Sequence, residues 1–449
     1  MTRQKSNYVA AVDIGTTKIV SLIGRINENK KLEILGMSKT VSKGVKRGVV
    51  LNIEETVTAI RQTVEEAEKQ SGIQFTDVFV GIAGQHIKSI KNRGYINLGA
   101  DRDEIVQKDI DALIADMYNI PIDLGEEIIH VLPQNYIVDS ETGVKNPVGM
   151  SGRRLEANFH IVIGQIASAK NIEKCVNRVG LRVDQLILEP LASSAAVLTD
   201  DEKEAGVALV DIGGGTTDVA VFYDDSIRHT AVIPFGGNVI TKDIKEGCKI
   251  LHRQAEALKT QFGSALGDLA PDDKVVTIPG INGREPKEIS FKNLAYIIQM
   301  RMEEIIDAVM FEIENSGCMD KLSAGVVLTG GGALLKHIAQ LVRFHTGMDV
   351  RIGYPIEYLA ANPTDEINNP QYSTSVGLLL KGWEIITKDL EPKVKSGHRT
   401  TAESEEKEKE AEREAMLAEA GENRIGSSII AAFKKRITDI FEEKGADME

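Results

Sequence analysis

The stretch VALVDIGGGTTDVAVFYDD, Val207–Asp225, decides the fold. An apolar run ends in an Asp-Ile-Gly turn, small hydroxyl residues follow, and a second apolar run leads away. This reads as a β-hairpin whose tip carries Asp, Gly and Thr. The same pattern occurs earlier, as VAAVDIGTTKIVSLIGRI from Val9 to Ile26. A single D-I-G-T turn would read as a plain hairpin. Two copies, each behind a V-A-x-V strand, point to a duplicated domain with a site between its halves. The tips have the chemistry of a phosphate cradle. Glycines (Gly15, Gly213, Gly214, Gly215) let backbone N–H groups approach an anion closely. Thr16, Thr17, Thr216 and Thr217 add hydroxyl donors, and Lys18 can place a positive charge on terminal phosphates. Asp13 and Asp211 suit a Mg²⁺ ion, which keeps several waters and takes few direct carboxylates.

A third glycine cluster lies further on. GVVLTGGGALL, Gly325–Leu335, reads as a buried strand, a turn at Gly330, Gly331 and Gly332, and a helix start. Such a turn lets a nucleoside lie flat against the backbone; alone it would be an ordinary strand-to-helix turn. Glu256 and Lys259 lie three apart on one helical face, where they can reach ribose and base. A solvated ion pair is the competing reading.

Around these motifs, strands alternate with amphipathic helices as far as about Leu390, the pattern of an α/β protein. Tyr8–Val12, Ile19–Gly24, Leu32–Ser38 and Val78–Ile82 read as strands, and Glu54–Gln70 reads as a helix. The net charge of −14 argues against nucleic acid as a partner, because phosphate neutralisation needs clustered Lys and Arg. The three cysteines, Cys175, Cys248 and Cys318, are scattered without metal-ligand spacing and fit a reducing compartment. The start MTRQKSNYVAAVDIG lacks the apolar core of a signal peptide, and no apolar run is long enough to span a bilayer.

DIGTTK, LEPLASSAAVL, DIGGGTTDVAVF, GVVLTGGGALL and YSTSVGLLL resemble the five signature segments of the actin, sugar-kinase and heat-shock ATPase superfamily. The resemblance covers residues 8–390. It implies an actin-like α/β fold of two duplicated domains around a cleft for ATP and Mg²⁺, with a hinge at two connecting helices. It also implies that Glu189, in LEP, orients an attacking water if ATP is hydrolysed. The competing reading of Glu189 is a helix-start carboxylate interacting with the dipole.

The strand VFVGIAG ends at Gly84, and the helix expected next, ASAKNIEKCVNRVG, begins only at Ala167. Residues 85–166 between them read as an extra α/β module: strand Ile87–Leu98, helix Asp103–Asp116, strands Ile128–Val138 and Leu155–Ile163. This placement, with GIAGQHI, GVKRGVVLNIEE, PVGMSGRRLEANFHIV, IPFGGNVITKDI and LTGGGALLKHI, resembles the FtsA family of bacterial division proteins. That family carries an inserted 1C subdomain and ties the tubulin-like protein FtsZ to the cytoplasmic face of the cell membrane at the division septum. The resemblance implies subdomain 1A over 1–84 and 167–205, 1C over 85–166, 2A over 206–245 and 321–390, and 2B over 246–320. It implies four kinds of partner: the C-terminal peptide of FtsZ on 2B, with Arg301 the residue suited to an acidic peptide; further copies of the chain in a filament; later divisome proteins through 1C; and an anionic phospholipid surface.

Composition changes after Glu391. TAESEEKEKEAEREAMLAEAGENR, residues 401–424, carries no aromatic residue, and 391–424 reads as a flexible charged linker. IGSSIIAAFKKRITDIFEEK follows, within a terminal segment 425–449. Ile425, Ile429, Ile430, Phe433, Ile437, Ile440 and Phe441 share one half of a helix, as in a membrane-surface element. Residues 425–449 hold four Lys or Arg against five Asp or Glu, so insertion would rest on apolar burial. A helix packed on the protein's own body is the alternative. Other superfamily readings compete with the whole. A small-molecule kinase needs a substrate-facing carboxylate base, which residues 85–166 do not present. A chaperone-type ATPase needs a β domain after the ATPase. A pilus-assembly protein shares the insert but lacks the terminal helix.

Overall fold

The computed structural model describes residues 7–99, 104–280, 285–355, 358–360 and 366–390. The expected linker and terminal helix, 391–449, lie outside the described residues. The chain opens with β1 (Val9–Ile14), β2 (Lys18–Ile26) and β3 (Leu32–Val41), then a small hairpin of β4 (Val45–Lys46) and β5 (Val49–Val50), helix α1 (Ile53–Ser71) and β6 (Asp77–Ile82). Next come β7 (Lys88–Asn97), α2 (Gln107–Met117), β8 (Glu126–Val138), β9 (Glu141–Val144) and β10 (Arg154–Gln165). The chain returns through α3 (Ile166–Asn177), β11 (Arg182–Leu188), α4 (Glu189–Val197) and α5 (Asp200–Ala205). The second half holds β12 (Val207–Ile212), β13 (Thr217–Tyr223), β14 (Ser226–Ile233), α6 (Gly237–Cys248), α7 (His252–Phe262), β15 (Val275–Ile278), β16 (Lys287–Ser290), α8 (Phe291–Ser316), β17 (Val326–Thr329), α9 (Ile338–Thr346), β18 (Val350–Ile352) and α10 (Ser373–Leu390).

Two five-stranded sheets share one topology. The first runs β11-β6-β1-β2-β3 and the second β14-β13-β12-β17-β18. In each, the founding strand pairs antiparallel with its hairpin partner and parallel with a strand reached by a crossover. β1 and β12 are buried at every position, as sheets covered on both faces require. Successive residues serve different cores: Val9 and Ala11 face a layer shared with the second half, whereas Ala10, Val12 and Ile14 pack with Ile60 and Val64 of α1. That shared layer also holds Leu209, Ala220 and Val327 of the second sheet, with Ala192 of α4 and Val376 of α10. Helices α4 and α10 meet here at backbone distance. A Cβ on Gly377 would stand 1.8 Å from the Ala192 carbonyl oxygen, so any side chain would force the crossing apart.

The insert forms a separate sheet, β7-β10-β8-β9. Ile110, Leu113 and Met117 of α2 pack on Leu155, Phe159 and Ile161 in a core of their own. The helix begins at Gln107, not at Asp103. Ile105 is fully buried, and its backbone is committed to Met150 and Gly149. The Asp109 carboxylate then caps the Val106 N–H at 3.0 Å. After the third glycine cluster the chain makes a 3₁₀ turn, Gly331–Leu334, and α9 starts only at Ile338, where the sequence suggested an immediate helix. None of the helices searched among the described residues is long and apolar enough to cross a membrane.

Candidate functional site

The β1–β2 and β12–β13 turns face one another. A Cβ on Gly214 would lie 2.2 Å from Thr17 Cγ2, and one on Gly215 2.5 Å from Thr16 Oγ1, so the tips touch and tolerate no side chain at either glycine. Between the halves opens a cleft of about 380 Å³, within the range of small-molecule sites. It is lined by Asp13, Gly15, Thr16, Thr17, Lys18, Glu189, Asp211, Gly213, Gly214, Gly215, Thr216, Glu256, Lys259, Gly330, Gly331 and Gly332. These segments are far apart in sequence, and the duplicated topology brings them to the same ends of the two sheets. Thr217 does not line the cleft. It is buried, and its hydroxyl donates to the Phe235 carbonyl at 2.8 Å.

The connecting helices hold the two aspartates. Ser375 of α10 donates to Asp13 Oδ2 at 2.6 Å. Ser193 of α4 donates to Asp211 Oδ2 at 2.6 Å, and Thr374 of α10 at 3.1 Å. Each aspartate therefore takes a hydroxyl from a helix of the opposite half. Burial holds both carboxyls above their ordinary range.

Asp218, which sequence reading passed over, is Asp211's cross-strand partner and lies in the same cleft. It is buried, and its Oδ1 has no hydrogen-bond partner among the described residues. Burial, then the nearby Asp211, push it well above the carboxylate range. Glu189 stands at the first turn of α4, so the helix-start and cleft readings both describe it. Burial raises its pKa well above normal, with Asp13, Asp218 and Asp211 adding to the effect. Gly81 makes room for it, since a Cβ there would lie 3.0 Å from Glu189 Cγ.

Cations balance part of this charge. Lys18 is tied to the Gln371 carbonyl and lies 4.9 Å from the Tyr372 ring centroid. Burial lowers its pKa, while Asp13 and Asp211 raise it. Lys259 donates to Glu256 at 2.9 Å, Thr241 Oγ1 at 2.8 Å and the Gly237 carbonyl at 2.9 Å, so the pair forms part of the cleft wall. Gly330 has φ 82°, and a Cβ there would lie 2.2 Å from Asp211 Oδ1. Gly331 meets nothing within 4 Å and leaves the wall flat.

Arg301 lies on α8 outside this cleft. It forms ion pairs with Asp243 and Glu304, and its side chain is 30% exposed. An acidic partner there would have to compete with two carboxylates of the chain itself. Ile425, Ile429, Ile430, Phe433, Ile437, Ile440 and Phe441 lie outside the described residues.

The family profile described as "Cell division protein FtsA" matches residues 208–377, and that described as "SHS2 domain inserted in FTSA" matches residues 84–163. The FtsA of Pseudomonas aeruginosa is 42% identical over 379 residues, covering 84% of this chain and 90% of its own. That of Neisseria meningitidis is 41% identical with the same coverage, and that of Escherichia coli K12 is 37% identical over 385 residues, covering 84% of this chain and 90% of its own. Among solved structures, a PilM-PilN type IV pilus biogenesis complex aligns at TM-score 0.59 and 14% identity over 84% of this chain and 99% of its own. MreB5 of Spiroplasma citri bound to ADP aligns at 0.50 and 14% identity over 88% of this chain and all of its own. At that identity these two show the fold alone, which is actin-like α/β with an inserted domain.

Proposed function

The chain belongs to the FtsA family of cell division proteins, and we propose that it binds ATP with Mg²⁺ in the cleft and links FtsZ filaments to the cytoplasmic face of the membrane at the septum. The observation that carries the nucleotide reading is the pair of touching glycine tips with Asp13 and Asp211 hydroxyl-bonded beside them. Gly15, Thr16, Thr17, Lys18 and Gly213–Thr216 take the phosphates. Glu256 and Lys259 reach the ribose and base, with Gly330, Gly331 and Gly332 under the nucleoside.

The residues present fit a cation. Asp218 brings a buried oxygen that lacks a partner among the described residues, Asp211 is its cross-strand neighbour, and Asp13 lines the same cleft. No group of three or more His, Cys, Asp or Glu among the described residues forms a metal-holding cluster by itself. Mg²⁺ takes few direct carboxylates and keeps several waters, so phosphate oxygens and water would complete its shell here. When bound, the ion neutralises phosphate charge. Glu189 accepts a hydrogen bond from water and orients it, supporting at most slow hydrolysis.

The remaining roles extend the same reading. Residues 85–166 form subdomain 1C and receive later divisome proteins. Residues 1–84 with 167–205 form 1A, and 206–245 with 321–390 form 2A. Copies of the chain assemble as an actin-like filament. Residues 246–320 form 2B and receive the FtsZ C-terminal peptide. Arg301→Gln removes the cation while sparing Asp243 and Glu304 the like charge that glutamate would bring. It is expected to weaken an FtsZ C-terminal peptide about tenfold in an anisotropy titration, the scale of a charge-assisted hydrogen bond. An unchanged constant removes Arg301 from the interface. The function as a whole is tested by FtsZ co-pelleting with lipid vesicles, expected only when this chain and ATP are both present.

A further inference from the structure

The inserted sheet has two unlike faces. One, packed under α2, is apolar: Leu155, Ala157, Phe159 and Ile161 are fully buried. The other lies across both halves: Ile87 and Ile129 pack on the core of the first half and Leu132 on the layer the halves share, whereas the contacts with the second half are mainly directed polar bonds. On the first half, His130 Nε2 of β8 accepts the Leu188 N–H at 3.0 Å. Burial first, then Lys381, hold this imidazole neutral, with a pKa of about 4, so Nε2 is free to accept. On the second half, the insert meets the free edge of β14. Gln134 Nε2 donates to the Ile227 carbonyl at 2.7 Å, Ser89 Oγ to the Thr230 carbonyl at 3.1 Å, and Ser226 Oγ to the Gln134 carbonyl at 2.7 Å. His160 Nε2 shares a buried hydrogen bond with Thr230 Oγ1 at 2.8 Å. Lys145 pairs with Asp224 and Asp225 of the β13–β14 turn, each at 2.8 Å.

Both docking points adjoin cleft carboxylates. Leu188 immediately precedes Glu189, and β14 pairs with β13 in the register Asp218↔Val232. The β14 side, held by directed polar bonds, releases more readily than the apolar packing on the first half. In this structure docking coexists with touching phosphate tips.

From this geometry we propose that the insert is a clasp: it bridges the two halves when the cleft is closed, and its docking on β14 is coupled to nucleotide binding. The proposal rests on the nucleotide reading above. Coupling is reciprocal, so whatever undocks the insert weakens Mg-ATP by the factor by which Mg-ATP strengthens docking.

The test uses the full chain. Gln134→Ala with Lys145→Glu removes the β14 carbonyl contact and sets like charges together at the turn; both positions are far from the cleft lining. The variant is expected to bind Mg-ATP about five- to tenfold more weakly and to exchange its β14 amides faster in hydrogen–deuterium exchange. Adding Asp224→Lys and Asp225→Lys restores the charge pairing and is expected to recover part of both losses. Mg-ATP is expected to slow β14 exchange in the wild type. An unchanged affinity in a variant whose β14 exchanges faster overturns the coupling alone. Unchanged β14 exchange in the variant overturns the clasp. Wild-type protein that does not bind Mg-ATP overturns the nucleotide reading, and the coupling with it.

Discussion

Asp211→Ala is expected to bind Mg-ATP about a hundredfold more weakly than the wild type, the upper scale for losing a carboxylate that serves a bound cation. Asp211 is buried, and one of its oxygens is held by Ser193 and Thr374, so the other is aimed with little freedom. Water cannot replace it without recruiting new partners in the same space. The fold should survive the change. Asp211 sits among Asp13, Asp218 and Glu189, and burial with this repulsion holds these carboxyls above their normal range. Removing one of four crowded acids relieves repulsion, and the Ser193 and Thr374 hydroxyls, 2.9 Å apart, keep each other as partners, a trade of function against stability. Anisotropy with a labelled nucleotide measures the affinity, and denaturant unfolding checks the fold. Wild-type affinity in a folded Asp211→Ala protein would remove this carboxylate from the site.

Deleting residues 425–449 should abolish vesicle pelleting and leave nucleotide affinity unchanged, because every cleft residue lies before Leu390. Full burial of a large apolar side chain contributes roughly 1.5–3 kcal/mol. Seven partly buried ones would give about 10 kcal/mol gross, less the cost of ordering the helix. One such anchor would hold weakly, and several on a filament would hold together. A spacer over 391–424 with coil scaling would put about 30 Å between body and anchor. Phe433→Glu with Ile437→Glu should act nearly as the deletion does, by placing charge within the apolar face, whereas Lys435→Gln should matter little. Wild-type pelleting of the truncated chain would make 425–449 a body-packed or partner-binding element and end the tether reading.

The duplicated hairpins were legible because strand, turn and strand are local: Ile14↔Ile19 and Ile212↔Thr217 close each tip where the glycines lie. Long-range partners were not. Ser193 and Ser375 are small residues in apolar helix segments, and only the α4–α10 crossing turns their hydroxyls onto the aspartates. Asp218 reads as a polar residue at the start of a buried apolar strand; its pairing with Asp211 puts it in the cleft. Thr217 has the same residue type as Thr216, yet the strand's alternation sends it to the Phe235 carbonyl. The insert was legible as alternating apolar runs, except β9, four residues with little apolar signal. The start of α2 was misplaced because Ile105 is held extended by Met150 and Gly149, which no local pattern reveals. Arg301 could be read as a cation from sequence, but its pairing with Asp243 could not.

The most direct test of the nucleotide cleft is calorimetric titration of ATP into the full chain, with Mg²⁺ and again with Mg²⁺ chelated. One ATP per chain should bind with Mg²⁺, and binding should weaken sharply without it. It should also fail in Gly214→Val, whose side chain would enter the 2.2 Å gap to Thr17. No binding to the wild type, or equal binding to wild type and Gly214→Val, would contradict the assignment of the cleft as the nucleotide site.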